Sequence, residues 1–120
     1  MARYVDGFVI PISKRKVKAY LRQAKLGAKV WKEHGALAYV EALGDDLDVP
    51  FGKGFRKLAG LKPGETVVFS FILFKSRKHR DQVNAKALKD PRLNGPAMMG
   101  AMAFDTRRFA VGGFAELVGW

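Results

Sequence analysis

Histidine is the side chain that changes charge near neutral pH, and this chain has two, His34 and His79. His79 lies in the first turn of a predicted helix, where it could act as a general base or as an axial haem ligand. His34 stands at the end of another predicted helix, where a cation interacts favourably with the helix dipole. We therefore expect a structural role for His34, and the spacing of the two histidines predicts no metal site.

Asp6 interrupts an apolar strand next to Gly7 and is the better candidate for a base. A carboxylate in an apolar interior is costly unless it is paired, and an unpaired one would be poised to accept a proton. If Arg108 pairs with Asp6, the carboxylate becomes structural instead. Asp6 and His79 are thus the predicted catalytic residues, with both alternatives open for Asp6.

Arg80 and Asn84 are one helical turn apart, so they project from one face of a predicted helix. They could orient a carbonyl or carboxylate group of a substrate. The alternative is an ion-pair network that ties this helix, through Arg80 and Asp81, to Asp105 and Arg108. The predicted ligand-binding residues are these polar groups together with one aromatic side chain on another helix: Trp31, Arg80, Asn84, Asp105 and Arg108.

The absence of cysteine excludes disulfides, thiolate zinc sites, iron–sulfur ligation and a cysteine nucleophile. The sequence also lacks the glycine-rich nucleotide loops, the nucleophile elbow and the zinc-protease motif. Ser70 lies inside an apolar strand with no base near it in the sequence, so it is a poor nucleophile candidate. No metal and no cofactor is predicted, and haem affinity is left open.

The chain has 120 residues, 48% of them hydrophobic and 28% charged, which predicts a single domain over residues 1–120. The longest apolar run, 67–74, is far shorter than the ~20 residues that a membrane helix needs. No secretory signal pattern is visible at the N-terminus. We therefore expect no membrane association and a cytoplasmic location.

The 22 basic residues exceed the 11 acidic ones and give a net charge of +11, which favours anionic partners. Basic side chains follow one another at steps of three or four along the first predicted helix. This basic helix face consists of Lys18, Arg22, Lys25, Lys29 and Lys32. A solvated surface is the expected interpretation, since no nucleic-acid-binding motif accompanies it. Nucleic-acid binding through it is a minor alternative.

Hydrophobic periodicity predicts strands at 4–12, 36–43, 66–74 and 108–118, and helices at 13–35 and 76–89. The connection 44–65 is long and is predicted to contain one irregular strand near Phe55. The order βαββαβ is that of a ferredoxin-like α+β fold, an antiparallel four-stranded sheet with both helices on one face. Gly112 and Gly113 inside the last strand indicate a bulge, a kink or a close approach of another group.

Several apolar side chains would be exposed to solvent in a single subunit. The inward positions predicted for the first helix are Val17, Tyr20, Leu21, Ala24, Ala28 and Trp31, which leaves Leu26 and Val30 on the opposite side as a second contact surface. Strand 66–74 is apolar on both faces, and its uncovered face is expected to pack on a second copy of the chain. A homodimer follows. A methionine group, Met98, Met99 and Met102, could form a lid over a cleft or fill gaps against the partner.

Six motifs, in order along almost the whole chain, resemble those of the YbaA-like bacterial family of unknown function. They lie at 4–8 (YVDGF), 34–41 (HGAL leading to YVE), 67–70 (VVFS), 80–92 (RDxxN leading to DPR), 104–108 (FDxxR) and 112–114 (GGF). The resemblance implies a dimeric α+β barrel related to the antibiotic-biosynthesis monooxygenases, with a cleft between sheet and helices in each protomer. Members of that superfamily oxidise aromatic substrates without a cofactor, isomerise lactones or bind haem, so the fold selects no activity.

These observations predict a homodimeric protein that binds a small aromatic or anionic molecule between sheet and helices. A cofactor-independent monooxygenase or isomerase is the enzymatic alternative, and weak nucleic-acid binding through the basic helix face is the third. The sequence alone does not decide whether the protein is an enzyme.

Overall fold

A computed structural model describes residues 2–93 and 102–120. The strands are β1 (Tyr4–Ser13), β2 (Ala38–Leu43), β3 (Glu65–Phe74) and β4 (Ala110–Ala115). The helices are α1 (Val17–Glu33), which follows one 3-10 turn at Lys14–Lys16, α2 (Phe55–Ala59) and α3 (Arg77–Leu88). No helix in the described part of the chain is both long and apolar enough to span a lipid bilayer.

The four strands form one antiparallel sheet in the order β2-β3-β1-β4. The register places Asp6 opposite Ile72 on one side and Gly113 on the other, and it places Glu41 opposite Ser70. The predicted ferredoxin-like α+β fold is therefore confirmed. Within one chain the sheet is open, with β2 and β4 at its edges.

The sheet has an inner face, which the long helices cover, and an open face. Because side chains alternate along a strand, Ile10, Ile12 and Val68 point inward, where they pack with Tyr20 and Ala24 of α1. A second group of inner-face residues, Ile72 and Phe74, packs with Val83 of α3. The open face carries the alternate positions of the same strands, among them Val5, Val9, Phe69 and Phe71.

The buried side of α1 is rotated from the predicted one. Leu21, expected to point inward, is 50% exposed, and Val30, expected to point outward, is 0% exposed. The buried side instead contains Gly27. A glycine allows a helix to approach its neighbour closely, yet it contributes nothing to a hydrophobic pattern, so periodicity misplaces the buried stripe. The predicted second contact surface is wrong for Val30.

The connection between β2 and β3 contains a short helix, α2, where an irregular strand was predicted. This prediction was wrong because five helical residues between glycines resemble a loop in the sequence. Gly60 ends α2 in the left-handed conformation, with φ +62°, as glycine does after many helices. The ring of Phe55 lies 6.2 Å from that of Phe69 in an edge-on contact, so α2 rests on one end of the open face.

Two local predictions are confirmed. The Ser76 hydroxyl caps α3 by accepting a hydrogen bond from the backbone N–H of His79 at 3.1 Å. The glycines of β4 mark a close approach, because a Cβ on Gly113 would lie 2.5 Å from the Tyr4 hydroxyl oxygen. Of the predicted methionine group, Met98 and Met99 lie outside the described residues.

Candidate functional site

A cavity of about 580 Å³ lies between the inner face of the sheet and helices α1 and α3. Its floor comes from alternate residues of β1 and β3, and its roof comes from one side of α1 and from α3. Most of the lining is apolar or aromatic, as in typical small-molecule sites. The described residues that carry its chemistry are Asp6, Tyr20, Trp31, Tyr39, Glu41, Ser70, Arg80 and Asn84.

The first polar group of the cavity is centred on Asp6, which is 5% exposed. Its two carboxylate oxygens accept hydrogen bonds from Arg80 Nη1 at 2.7 Å and from Asn84 Nδ2 at 3.2 Å. Asn84 Oδ1 in turn accepts from Trp31 Nε1 at 2.9 Å. This Asp6 network, formed by Asp6, Arg80, Asn84 and Trp31, links β1, α3 and α1.

Arg80 is held between two acids and an aromatic ring. Its Nε donates to Asp81 at 2.8 Å, and its guanidinium carbon lies 4.8 Å from the centre of the Tyr4 ring, within cation–π range. Burial lowers the pKa of Arg80, but the hydrogen bond to Asp81 and the charge of Asp6 outweigh it, so the net change in the pKa is upward. Asp6 therefore faces a permanent cation, which favours a positioning role for this carboxylate over proton abstraction.

The second polar group of the cavity, the Glu41 cluster, consists of Glu41, Tyr20 and Tyr39. The Tyr20 hydroxyl donates to Glu41 Oε1, and the Tyr39 hydroxyl donates to Glu41 Oε2 at 2.8 Å. Burial raises the pKa of both tyrosines strongly, and Glu41 raises it further because a nearby carboxylate disfavours a phenolate. Both hydroxyls therefore remain protonated donors at any physiological pH.

Ser70 lies beside the Glu41 cluster, directly opposite Glu41 in the β2–β3 register. It is 4% exposed and lines the cavity, and its hydroxyl makes no hydrogen bond to another described residue. Among the described residues, no fully enclosed side-chain oxygen or nitrogen lacks a partner. The Ser70 hydroxyl therefore opens onto the cavity, where it is available to a ligand.

Four of the predicted site residues meet in the cavity: Asp6, Trp31, Arg80 and Asn84. Asp6 does not pair with Arg108, which was one of the two alternatives left open, and among the described residues no ion-pair network joins Arg80 to Asp105 and Arg108. Arg108 makes a two-point contact with Glu65, at 2.7 and 2.8 Å, and Asp105 binds Arg107. Asp105 and Arg108 are not among the described lining residues.

The two histidines also lie outside the described lining of the cavity. His79 Nδ1 accepts the backbone N–H of Lys75 at 3.0 Å, and its ring meets Phe74 edge-on. The role of His79 as a base stays a prediction, and haem ligation by His79 stays an open alternative. His34 Nε2 lies 2.9 Å from Asp90 Oδ2 and so joins the ends of α1 and α3, which agrees with a structural role. Within residues 2–93 and 102–120, no three His, Asp or Glu side chains are placed to hold a metal ion.

The residues of the basic helix face are all exposed, as expected for a solvated surface. No ion pair within the described part of the chain involves them. Nucleic-acid binding through this face stays the minor alternative that it was.

The Glu41 cluster was not predicted from the sequence. Two signals were present. Tyr39 and Glu41 are two positions apart in β2 and therefore lie on the same face of the sheet, and Ser70 is a polar residue inside an apolar strand. Neither signal identifies Tyr20 of α1 as the third member. That contact depends on how closely α1 approaches the sheet.

The fold and the cavity define a class of small α+β proteins: a ferredoxin-like sheet with a ligand-sized cavity beneath its helices. The chain belongs to the family described as "Protein of unknown function (DUF1428)", whose model matches residues 3–106. It is 39% identical over 118 residues to "Uncharacterized protein YbaA" of Escherichia coli K12, with 97% of both chains covered. The YbaA protein of Shigella flexneri matches with the same identity and coverage. The resemblance to the YbaA-like family is thereby confirmed.

A solved structure with a similar fold is the crystal structure of a dimeric ferredoxin-like protein from an uncultured marine organism. The TM-score is 0.61 with 12% sequence identity, and 100% of each chain is covered. At this identity the similarity concerns the fold. Neither the family description nor these relatives' names state an activity.

Proposed function

We propose that the protein binds a small, largely aromatic molecule in the cavity between the sheet and the helices. The observation that carries this proposal is a cavity of about 580 Å³ whose apolar walls surround a pre-formed hydrogen-bond network on the buried carboxylate of Asp6. This volume is within the range of about 300 to 1,000 Å³ that is typical of small-molecule sites. Apolar walls supply affinity, and a few fixed polar groups supply orientation.

The charge of the cavity favours a neutral or cationic ligand over an anionic one. Among the described lining residues the charged side chains are Asp6, Glu41 and Arg80, two acids and one base. Arg80 is already bound to Asp6 and Asp81. The excess of basic residues in the whole chain therefore does not extend into the described part of the site.

An enzyme that acts without a cofactor, as a monooxygenase or an isomerase, is the second candidate. It is supported by the convergence of Asp6, Trp31 and Asn84 on an apolar cavity. In this version Asp6 is the catalytic base and Asn84 orients the substrate. The test is turnover of an activated aromatic substrate by wild type and by the Asp6→Asn variant, and equal rates for the two would exclude Asp6 as the base.

Ligand binding itself is tested by thermal shift with tryptophol, a neutral indole alcohol small enough for the cavity. We expect a melting temperature that rises with tryptophol concentration, because a ligand that binds the native state stabilises it. Val111 lines the cavity from the edge strand β4, so the larger side chain of Val111→Trp should narrow the cavity and reduce the rise in melting temperature. Because Val111 is exposed, this substitution should leave the packed core undisturbed. Val118→Trp makes the same change at an exposed position outside the described lining, and it should leave the shift intact. A shift that is equal in all three proteins would place binding elsewhere.

We also propose that the protein is a homodimer that packs through the open face of the sheet. Phe69 and Phe114 expose large apolar surfaces there, beside a groove lined by Val5, Val9 and Phe71. Exposed apolar patches of this kind usually mark an interface. The crystallised ferredoxin-like protein with the same fold is dimeric, and two sheets facing each other would form the barrel that the family resemblance implies.

A further inference from the structure

The Glu41 cluster differs from the Asp6 network in its charge balance. Asp6 has the Arg80 guanidinium at 2.7 Å. Glu41 accepts two neutral phenol hydroxyls, and within the described residues it forms no ion pair with a cation. A partly buried carboxylate without a counter-charge is costly, so this end of the cavity favours a positive charge.

Hydrogen-bond acceptors converge at the same place. Ser70 lies across from Glu41 in the sheet, where side chains of paired residues are neighbours. Its unpartnered hydroxyl opens onto the cavity and offers two lone pairs. The oxygens of Tyr20 and Tyr39 donate their protons to Glu41 and keep lone pairs of their own. A group that carries several donors and no acceptor fits this arrangement, and an ammonium group has three donors.

We propose that the cavity binds an amphipathic aromatic amine, with the protonated amine held by Glu41 and Ser70 and the aromatic body on the apolar floor toward Trp31. This inference rests on the proposed small-molecule function and specifies the chemical class of the ligand. Phe8 and Ile72, the inner-face neighbours of Ser70 along the register, supply the apolar floor. The hydrogen bonds from Tyr20 and Tyr39 fix both hydroxyls on Glu41, and the raised pKa values of the two tyrosines keep these hydroxyls protonated as donors.

Three indole probes of nearly equal size test the proposal by isothermal titration calorimetry: tryptamine, tryptophol and indoleacetate, which carry an ammonium, a hydroxyl and a carboxylate. For wild type we expect tryptamine to bind roughly tenfold more tightly than tryptophol, because a charge-assisted hydrogen bond is about twice as strong as a neutral one. Indoleacetate should bind most weakly, since its charge would face that of Glu41.

Two variants test whether Glu41 and Ser70 cause the expected preference for tryptamine over tryptophol. Glu41→Gln keeps an acceptor for one tyrosine but removes the charge, so tryptamine should weaken to about the affinity of tryptophol. Ser70→Ala should weaken both tryptamine and tryptophol by several fold. Asp46→Asn is the matched control, since it removes one negative charge at an exposed loop position outside the described lining and should change neither affinity.

The outcomes separate this inference from the function on which it rests. Binding of tryptophol with no preference for tryptamine, or a preference that persists in Glu41→Gln, would overturn the amine proposal and leave small-molecule binding standing. Failure of all three probes to bind wild type would contradict both. If Glu41→Gln does not fold, as judged by circular dichroism, the order of the probes on wild type and the Ser70→Ala variant still decide.

Discussion

Gly27 of α1 and the hydroxyl of Tyr39 in β2 are in direct contact: a Cβ built on Gly27 would lie 2.7 Å from the Tyr39 hydroxyl oxygen. No side chain fits between them. This contact lets α1 lie close to β2 and lets the Tyr39 hydroxyl reach Glu41 at 2.8 Å. A glycine inside a helix thus shapes the second polar group of the cavity.

Replacing this glycine should destabilise the protein although alanine is the better helix former. In an exposed helix Gly→Ala would stabilise by about 1 kcal/mol. Here we expect Gly27→Ala to lower the free energy of unfolding by roughly 1 to 2 kcal/mol, because Tyr39 must shift in a packed interior. Urea denaturation measures the change.

A double-mutant cycle tests the cause. Tyr39→Phe removes the hydroxyl oxygen, and the next ring atom would lie 3.5 Å from the new Cβ, an ordinary contact. In the Tyr39→Phe background, Gly27→Ala should therefore be neutral or stabilising. The same loss of stability in both backgrounds would show that the contact with the hydroxyl is not the reason.

The ion pair between Asp6 and Arg80 should be costly to break from one side. Arg80→Met leaves the Asp6 carboxylate buried with Asn84 as its remaining side-chain donor among the described residues. We expect a loss of about 3 kcal/mol in the free energy of unfolding, as for other buried pairs that lose one partner. Asp81 is the exposed acid that also pairs with Arg80, and Asp81→Asn should lower the free energy of unfolding by less than about 1 kcal/mol. Equal losses of stability in the two variants would contradict the expectation that breaking the buried pair of Asp6 and Arg80 costs more than breaking the exposed pair.

Acid stability should depend on the contact between Glu65 and Arg108. The two hydrogen bonds from the Arg108 guanidinium, helped by the backbone N–H of Lys62, lower the pKa of Glu65 from 4.5 to about 2. A carboxyl group whose pKa is depressed on folding contributes stability above its unfolded pKa and loses it as the pH falls through the folded value. The contribution is therefore lost between pH 4.5 and about pH 2.

The variant Glu65→Gln removes this titration. Its free energy of unfolding should be lower than that of wild type at neutral pH and should fall less steeply between pH 4.5 and about pH 2. The slope of this free energy against pH counts the protons taken up on acid unfolding, and the two proteins should differ by up to one proton. Asp48→Asn removes an acid from an exposed pair with Arg56 and serves as the control. Urea denaturation at stepped pH gives both slopes, and parallel profiles for wild type and Glu65→Gln would contradict the prediction.

The proposed dimer predicts that a charge on the open face dissociates it. Phe114 is 60% exposed on that face, and we expect Phe114→Lys to sediment as a monomer under conditions in which wild type sediments as a dimer. Leu117→Lys, at a fully exposed position beyond β4, should leave the dimer intact. Analytical ultracentrifugation over a range of concentrations measures both, and a monomeric wild type would refute the dimer.

The elements of the fold could be predicted because their signals are local. The apolar run of β3 and the capping serine of α3 are visible in short windows of sequence. The helix α2 was missed because five residues flanked by glycines carry no periodicity. The orientation of α1 was misjudged because its closest contact is made by Gly27, which has no side chain to count.

The candidate site could be predicted in its residues but not in its pairings. Asp6, Arg80 and Asn84 were recognised as polar groups in unusual positions, yet Asp6 lies 74 residues from the arginine that binds it. Which acid meets which base depends on strand register and helix placement, and no short window of sequence contains either. Glu41 was not recognised, because its other tyrosine partner, Tyr20, lies 21 residues away on α1.

The strand order has a consequence for how the protein is made. In the described sheet β1 lies between β3 and β4, and β2 is hydrogen-bonded to β3. During synthesis on the ribosome, the backbone groups of β1 and β2 therefore have no strand to pair with until β3 has been synthesised. Such long-range pairing slows folding and leaves apolar segments exposed meanwhile. A nascent chain that ends before β3 therefore exposes these unpaired strands to aggregation.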